Sequence, residues 1–155
     1  MRYLLVDRIV ELERGRRATG IKNVTMSEDF LTDHFPEQPV MPGVLIAESL
    51  VQLADWVVRE SSGFQCIGLA SSFERLRFRH FVLPGDQLRL EVEILSQEGA
   101  QATVKGKAYR GDQLVTSAEF TLGLHSAAEH VSAEESRHQF EIIRPGGNGV
   151  VPGGN

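Results

Sequence analysis

Two side chains in one short stretch could share acid–base chemistry. The segment DHFPEQPVMPGVLIAES places His34 among prolines and Glu48 near the start of an apolar run. Imidazole, with a reference pKa of about 6.5, is the usual general base near neutral pH. A carboxylic acid in an apolar site can stay protonated and act as the acid. The pair is therefore a candidate catalytic base and acid.

Backbone groups beside this pair could stabilise negative charge. Pro42 lacks an N–H and suits the start of a helix, and Gly43 follows it. Helix N-terminal N–H groups point towards a developing oxyanion and gain from the helix dipole. Because glycine has no side chain, a substrate could approach this backbone closely. We predict an oxyanion and substrate-binding group at Gly43, Val44 and Phe35.

Each of these residues also has an ordinary structural explanation. His34 could be a hydrogen-bonded loop residue, and Glu48 could be a helix acid favoured by the dipole. The helix also carries one polar stripe, because Glu48, Gln52, Asp55 and Arg59 recur at helical spacing.

Hydrophobic periodicity predicts the elements that must position the pair. Residues 3–24 mix apolar and charged positions around a glycine turn, which indicates a hairpin of two antiparallel strands. After a long connection at 25–41, the run VLIAESLVQLADWVVRESSG is apolar around most of a helix. Four alternating segments follow, joined by short turns. One apolar helix among six strands predicts an α+β fold in which the sheet curls around the helix.

Composition limits the class of protein. The 155 residues, 41% of them hydrophobic, suit one domain, which we place at 1–124, with a Gly-rich C-terminal tail at 125–155 that could be flexible or ordered against a partner. The net charge of −5 argues against a general nucleic-acid binder. The single cysteine excludes an internal disulfide and favours a reducing, cytoplasmic location. No apolar run reaches the roughly 20 residues of a membrane span.

The motifs His-Phe-Pro, Pro-Val-Met-Pro-Gly-Val-Leu and Pro-Gly-Asp occur together and in this order. Residues 4–124 that contain them resemble the 3-hydroxyacyl-[acyl-carrier-protein] dehydratases of bacterial fatty acid synthesis, which have the hot-dog fold. The resemblance implies a hydro-lyase that interconverts (3R)-3-hydroxyacyl and trans-2-enoyl thioesters of acyl carrier protein. It implies His34 as base, Glu48 as acid and Gly43 as oxyanion donor. It also implies dimers that share active sites, with trimers of dimers as a further expectation.

No cofactor is needed for such a dehydration, because protonation activates the leaving hydroxyl and no electrons move. The other histidines show no metal-ligand spacing with carboxylates or Cys66, so we expect no metal site. Three arginines, Arg75, Arg77 and Arg79, share one face of a predicted strand. They are either a solvated face or a docking patch for an acidic carrier protein.

Two other functions stay open. Asp33 and Glu37 stand where the family commonly has glycines, and two carboxylates beside the base could raise the pKa of His34 or repel an acidic partner. A non-catalytic subunit that binds acyl carrier protein is therefore one alternative. An acyl thioesterase is the other, because one fold hosts several chemistries.

Overall fold

The computed structural model describes residues 4–32 and 37–145. The elements are β1 (Arg8–Glu13), β2 (Arg17–Asn23), α1 (Gly43–Ser61), β3 (Cys66–Phe78), β4 (Gln87–Glu98), β5 (Gln101–Arg110), β6 (Gln113–Ser126) and α2 (Ala133–Ile143), with short 3-10 helices at Asp29–Leu31 and Ala127–Glu129. The predicted order of two strands, one long helix and four strands is confirmed.

The six strands form a single antiparallel sheet in the order β1-β2-β4-β5-β6-β3. α1 lies against this sheet and contacts all six strands. The predicted α+β hot-dog fold, a curled sheet around one central helix, is therefore confirmed. β1 and β3 are the sheet edges, so one side of the 13-residue β3 has no strand beside it in the described chain.

α1 packs closely because the facing strands carry glycines. Leu50 and Leu53 are fully buried in the core. A Cβ at Gly106 would lie 3.1 Å from the Leu50 side chain, and one at Gly20 would lie 3.1 Å from Leu53. The two leucines therefore occupy the space that side chains on β5 and β2 would need. Replacing either leucine by alanine is expected to cost about 2–5 kcal/mol of stability.

The region that we predicted as a tail contains regular structure. β6 continues to Ser126, and α2 begins after Ser132, whose hydroxyl accepts a hydrogen bond from the Glu135 N–H at 3.0 Å. The Phe140 ring packs against Trp56 and Phe64, at 5.8 and 5.5 Å between ring centroids. Residues 133–143 of the predicted tail therefore form a helix. The sequence did not reveal this helix because it is short, with four charged residues among eleven, and is followed by glycines.

Within residues 4–32 and 37–145, no helix is long and apolar enough to cross a membrane.

Candidate active site

Glu48 lies on α1 and faces a cavity of about 530 Å³. One wall is the polar stripe of α1, and a second wall is the start of the edge strand β3, residues 68–70. All four members of the predicted stripe, Glu48, Gln52, Asp55 and Arg59, line this cavity. The remaining lining residues are Leu4, Val51, Trp56 and Gln139. The stripe is therefore the lining of a concave site rather than a solvated helix face.

The cavity changes the acidity of Glu48. Partial burial among neighbouring protein atoms raises the pKa of the Glu48 carboxyl above its ordinary value, and the negative charge of Asp55 raises it further. A hydrogen bond from Gln52 Nε2 to Glu48 Oε1, at 3.3 Å, opposes these effects. Because burial is the largest cause, the pKa remains raised even though part of the side chain is exposed in the single chain. The shift is towards the protonated, proton-donating form, relative to an ordinary glutamate.

Gln52 connects this carboxyl to the N-terminal segment. Its Oε1 accepts a hydrogen bond from the Leu5 N–H at 2.9 Å, while its Nε2 donates to Glu48. Leu5 is buried in the core, so its backbone N–H holds the Gln52 side-chain amide in a fixed position. Gln52 therefore both orients the Glu48 carboxylate and anchors the chain before β1.

Gly43 is the first residue of α1, with Pro42 as its N-cap. The Pro42 carbonyl accepts hydrogen bonds from the Leu45 and Ile46 N–H groups, at 3.0 and 3.3 Å. Gly43 and Val44 come before these donors, in the first turn, where N–H groups have no acceptor within the helix. The helix itself therefore does not use these two N–H groups.

The ring of Phe78 lies directly over Gly43. A Cβ built at Gly43 would be 2.8 Å from Phe78 Cε1 and 2.9 Å from Cδ1, so only glycine fits without displacing the ring. A cavity of about 290 Å³ adjoins this contact and is lined by Gly43, Val44, His80 and Phe81, among others. Gly43 and Glu48 lie on the same helix but open into different cavities of the single chain.

The predicted base is not among the described residues. His34, Phe35 and Asp33 all lie within 33–36, outside the part of the chain that the structure describes. Glu37, which follows them, is exposed and lines another cavity, of about 760 Å³, together with Met26 and Phe81.

Arg75 and Arg77 lie near the end of the edge strand β3 and Arg79 directly follows it, and all three are exposed. Arg75 Nε lies 3.5 Å from Glu119 Oε2, and Arg79 donates a hydrogen bond to the Ser117 hydroxyl at 2.8 Å. The three charges are therefore at the surface, but Arg75 is already paired with Glu119.

The sequence analysis did not identify a buried ion pair at the other end of the cavity. Arg59 is buried and holds Asp55 through Nε at 2.9 Å and Nη2 at 2.8 Å. The second Asp55 oxygen accepts the Gly68 N–H at 2.7 Å, which joins α1 to β3. The available signal was an aspartate and an arginine at i,i+4 inside an otherwise apolar helix.

Across the described residues, no cluster of three or more histidine, cysteine, aspartate or glutamate side chains could hold a metal ion.

Comparison with known proteins agrees with this architecture. A family described as "FabA-like domain" matches residues 1–119. The 3-hydroxyacyl-[acyl-carrier-protein] dehydratase FabZ of Caldanaerobacter subterraneus subsp. tengcongensis is 48% identical over 118 residues, which cover 76% of this chain and 84% of that protein. The FabZ of Geobacillus thermodenitrificans is 47% identical over 123 residues, which cover 79% of this chain and 85% of that protein.

Solved structures share the fold at lower identity. The dehydratase heterocomplex ApeI:P from Xenorhabdus doucetiae matches with a TM-score of 0.66 and 13% identity, over 81% of this chain and 86% of that one. A Streptococcus mutans protein bound to acetyl CoA matches with a TM-score of 0.62 and 16% identity, over 81% of this chain and 94% of that one. With the family match and the curated relatives together, the chain belongs to the FabA-like family and, within it, to the FabZ 3-hydroxyacyl-[acyl-carrier-protein] dehydratases.

Proposed function

We propose that this dehydratase removes water from (3R)-3-hydroxyacyl-[acyl-carrier-protein] with His34 as general base and Glu48 as general acid. His34 takes the proton from the carbon next to the thioester carbonyl. The carbon–oxygen bond at C3 breaks, and the hydroxyl leaves as water with a proton from Glu48. The product is the trans-2-enoyl thioester, and the same groups in reverse roles catalyse hydration.

The observation that supports this role for Glu48 is its position in the cavity between α1 and β3, where partial burial raises the pKa of its carboxyl. A general acid must keep its proton until the leaving group needs it, and an ordinary exposed glutamate is ionised at neutral pH. Burial and the nearby charge of Asp55 favour the protonated carboxyl. The Gln52 hydrogen bond fixes the direction in which that carboxyl points.

Charge on the thioester oxygen is the second requirement of the reaction. As the base removes the proton, negative charge moves onto this oxygen, and the Gly43 and Val44 N–H groups at the start of α1 are suited to receive it. Losing one such donor typically costs about 3 kcal/mol of barrier. Phe78, packed over Gly43, leaves room there only for a glycine backbone.

A second copy of the chain would complete the site. β3 is an edge strand of 13 residues with exposed Leu69, Phe73 and Phe78, and such an edge is a template for pairing with another chain. Leu69 also lines the Glu48 cavity, so a copy paired along β3 would lie beside the acid. We propose a homodimer in which His34 of one chain faces Glu48 of the other.

The acyl carrier protein is the proposed source of substrate. Carrier proteins that are acidic need a basic contact, and Arg77 and Arg79 are exposed beside Phe78 and the start of α1. We propose Arg75, Arg77 and Arg79 as the docking patch, in which Arg75 contributes least because Glu119 already lies beside it.

The test is to incubate the wild-type protein with 3-hydroxyacyl-carrier-protein while recording enoyl absorbance and free thiol together. Enoyl formation, reversed when enoyl substrate is supplied, is the expected result. Release of free thiol without enoyl would instead indicate a thioesterase. Carrier binding with neither product would indicate a non-catalytic subunit, and both of these outcomes would contradict the proposal.

A further inference from the structure

The helix α2 lies outside the family match but reaches the candidate active site. The match ends at residue 119, and α2 spans Ala133–Ile143. One α2 side chain, Gln139, lines the cavity that contains Glu48. An element outside the matched domain thus supplies part of the wall of the cavity.

Several interactions fix α2 against α1. The buried Arg59 donates from Nη1 to the Ser136 hydroxyl at 3.0 Å, and Ser136 is itself buried. Phe140, one residue after Gln139, packs on Trp56 and Phe64. The Arg137 guanidinium lies over the Phe64 ring, 5.2 Å from its centroid. The contacts of Ser136 and Arg137 before Gln139, and of Phe140 after it, therefore hold this part of α2 in a defined position.

Gln139 lies at the opposite end of the polar stripe from the acid. Glu48 is near the start of α1 and Arg59, bonded to α2, is near its end. Eleven residues of helix separate them, which is about 16 Å along the axis. An acyl chain whose C3 sits at Glu48 and whose tail follows the apolar side of the cavity, past Val51 and Leu69, would therefore meet α2 at the far end.

We propose that α2 closes the far end of the acyl cavity and that Gln139 is the residue that limits acyl chain length. The inference rests on the proposed function and extends it to substrate class. Asp55, Arg59 and Gln139 make this end polar, and apolar methylenes reaching it would remove water from polar groups without replacing their hydrogen bonds. The cavity consequently favours chains that end before Gln139.

The test measures kcat/KM for 3-hydroxyacyl thioesters with four to sixteen acyl carbons. Gln139→Ala should extend the cavity and improve the substrate two carbons beyond the wild-type optimum about tenfold relative to that optimum, given the free energy of burying two methylenes. Gln139→Trp should fill the same space and move the optimum to shorter chains. The shortest substrates should be turned over equally by all three proteins, because they do not reach α2.

The matched control is Glu141→Ala, which changes an exposed α2 residue outside the cavity lining and should leave the chain-length profile unchanged. Identical profiles in wild type and both Gln139 variants would overturn the inference and leave the dehydratase itself intact. A shift of equal size in Glu141→Ala would also overturn it, since α2 would then act through stability alone. Absence of turnover by the wild type at every length would overturn the proposed function as well.

Discussion

The Gln52 side chain donates a hydrogen bond to the Glu48 carboxylate at 3.3 Å from the next turn of the same helix. This bond stabilises the ionised carboxylate, whereas burial and Asp55 stabilise the protonated acid. The acidity of Glu48 is therefore set mainly by burial and adjusted in opposite directions by two neighbours on one helix face. Gln52 and Asp55 can be substituted separately, and the two substitutions are predicted to shift the pKa of Glu48 in opposite directions.

Replacing Gln52 by leucine should raise the pKa of Glu48 further, because the bond that favours the carboxylate is lost. Asp55→Asn should lower it, because a nearby negative charge is removed and Arg59 is left unneutralised. A ¹³C NMR titration of the Glu48 carboxyl, assigned by its disappearance in Glu48→Gln, measures both shifts. Shifts of the same sign in the two variants would contradict this account of the site.

The raised pKa also predicts how stability depends on pH. A carboxyl whose folded pKa lies above its unfolded value disfavours folding as pH rises from about 4.5 through the folded pKa. Glu48→Gln removes this penalty, so the variant should be more stable than wild type at pH 7, by at most about 1 kcal/mol because water still reaches the side chain. The gain should disappear near pH 4. Urea unfolding at pH 7 and near pH 4 measures this difference in stability. A stability gain of Glu48→Gln that grows on acidification would contradict the raised pKa of Glu48.

Arg59 should matter more for stability than any exposed charge. Arg59→Met leaves the Asp55 carboxylate partly buried without its main partner and removes the donor to Ser136, so a loss of about 3–5 kcal/mol is expected. Ser136→Ala removes one neutral acceptor and should cost about 1 kcal/mol. Denaturant midpoints of the two variants test the ranking. Equal losses of stability in the two variants would mean that the Asp55–Arg59 ion pair contributes little.

The contact between Gly43 and Phe78 predicts a pair of compensating substitutions. Gly43→Ala places a methyl group within 2.8 Å of the Phe78 ring, and overpacking of this kind costs about 1–3 kcal/mol. Phe78→Leu should restore most of that stability in the double variant by giving the methyl group room. Thermal unfolding of wild type, both single variants and the double variant measures the coupling. Simple additivity of the two changes would rule out the steric explanation.

The order of elements was predictable because the hydrophobic period changes clearly along the chain. The strands alternate, and α1 is apolar around most of its circumference, so its burial inside the sheet followed from its pattern. α2 was missed because its burial depends on Trp56 and Phe64, which are distant in sequence. A short amphipathic pattern alone does not reveal such a surface.

The positions of Glu48 and Gln52 on α1 were predictable, whereas the surroundings of the candidate site were not. Residue type and motif identified Glu48, and its helical spacing to Gln52 predicted that they share one face. The position of Gln139 in the same cavity depends on the tertiary packing of α2. Likewise, Phe78 over Gly43 is a contact between β3 and α1 that no local pattern encodes.

The most direct test of the acid–base assignment is the initial rate of enoyl formation by wild type, Glu48→Gln and His34→Ala at one pH. Each variant should be folded, bind acyl carrier protein and turn over about 10²–10⁴ times more slowly than wild type, the usual contribution of a positioned acid or base. A matched control is Gln97→Ala, an exposed residue of β4 that should keep the wild-type rate. Wild-type rates in folded Glu48→Gln would contradict its role as the acid of this dehydratase.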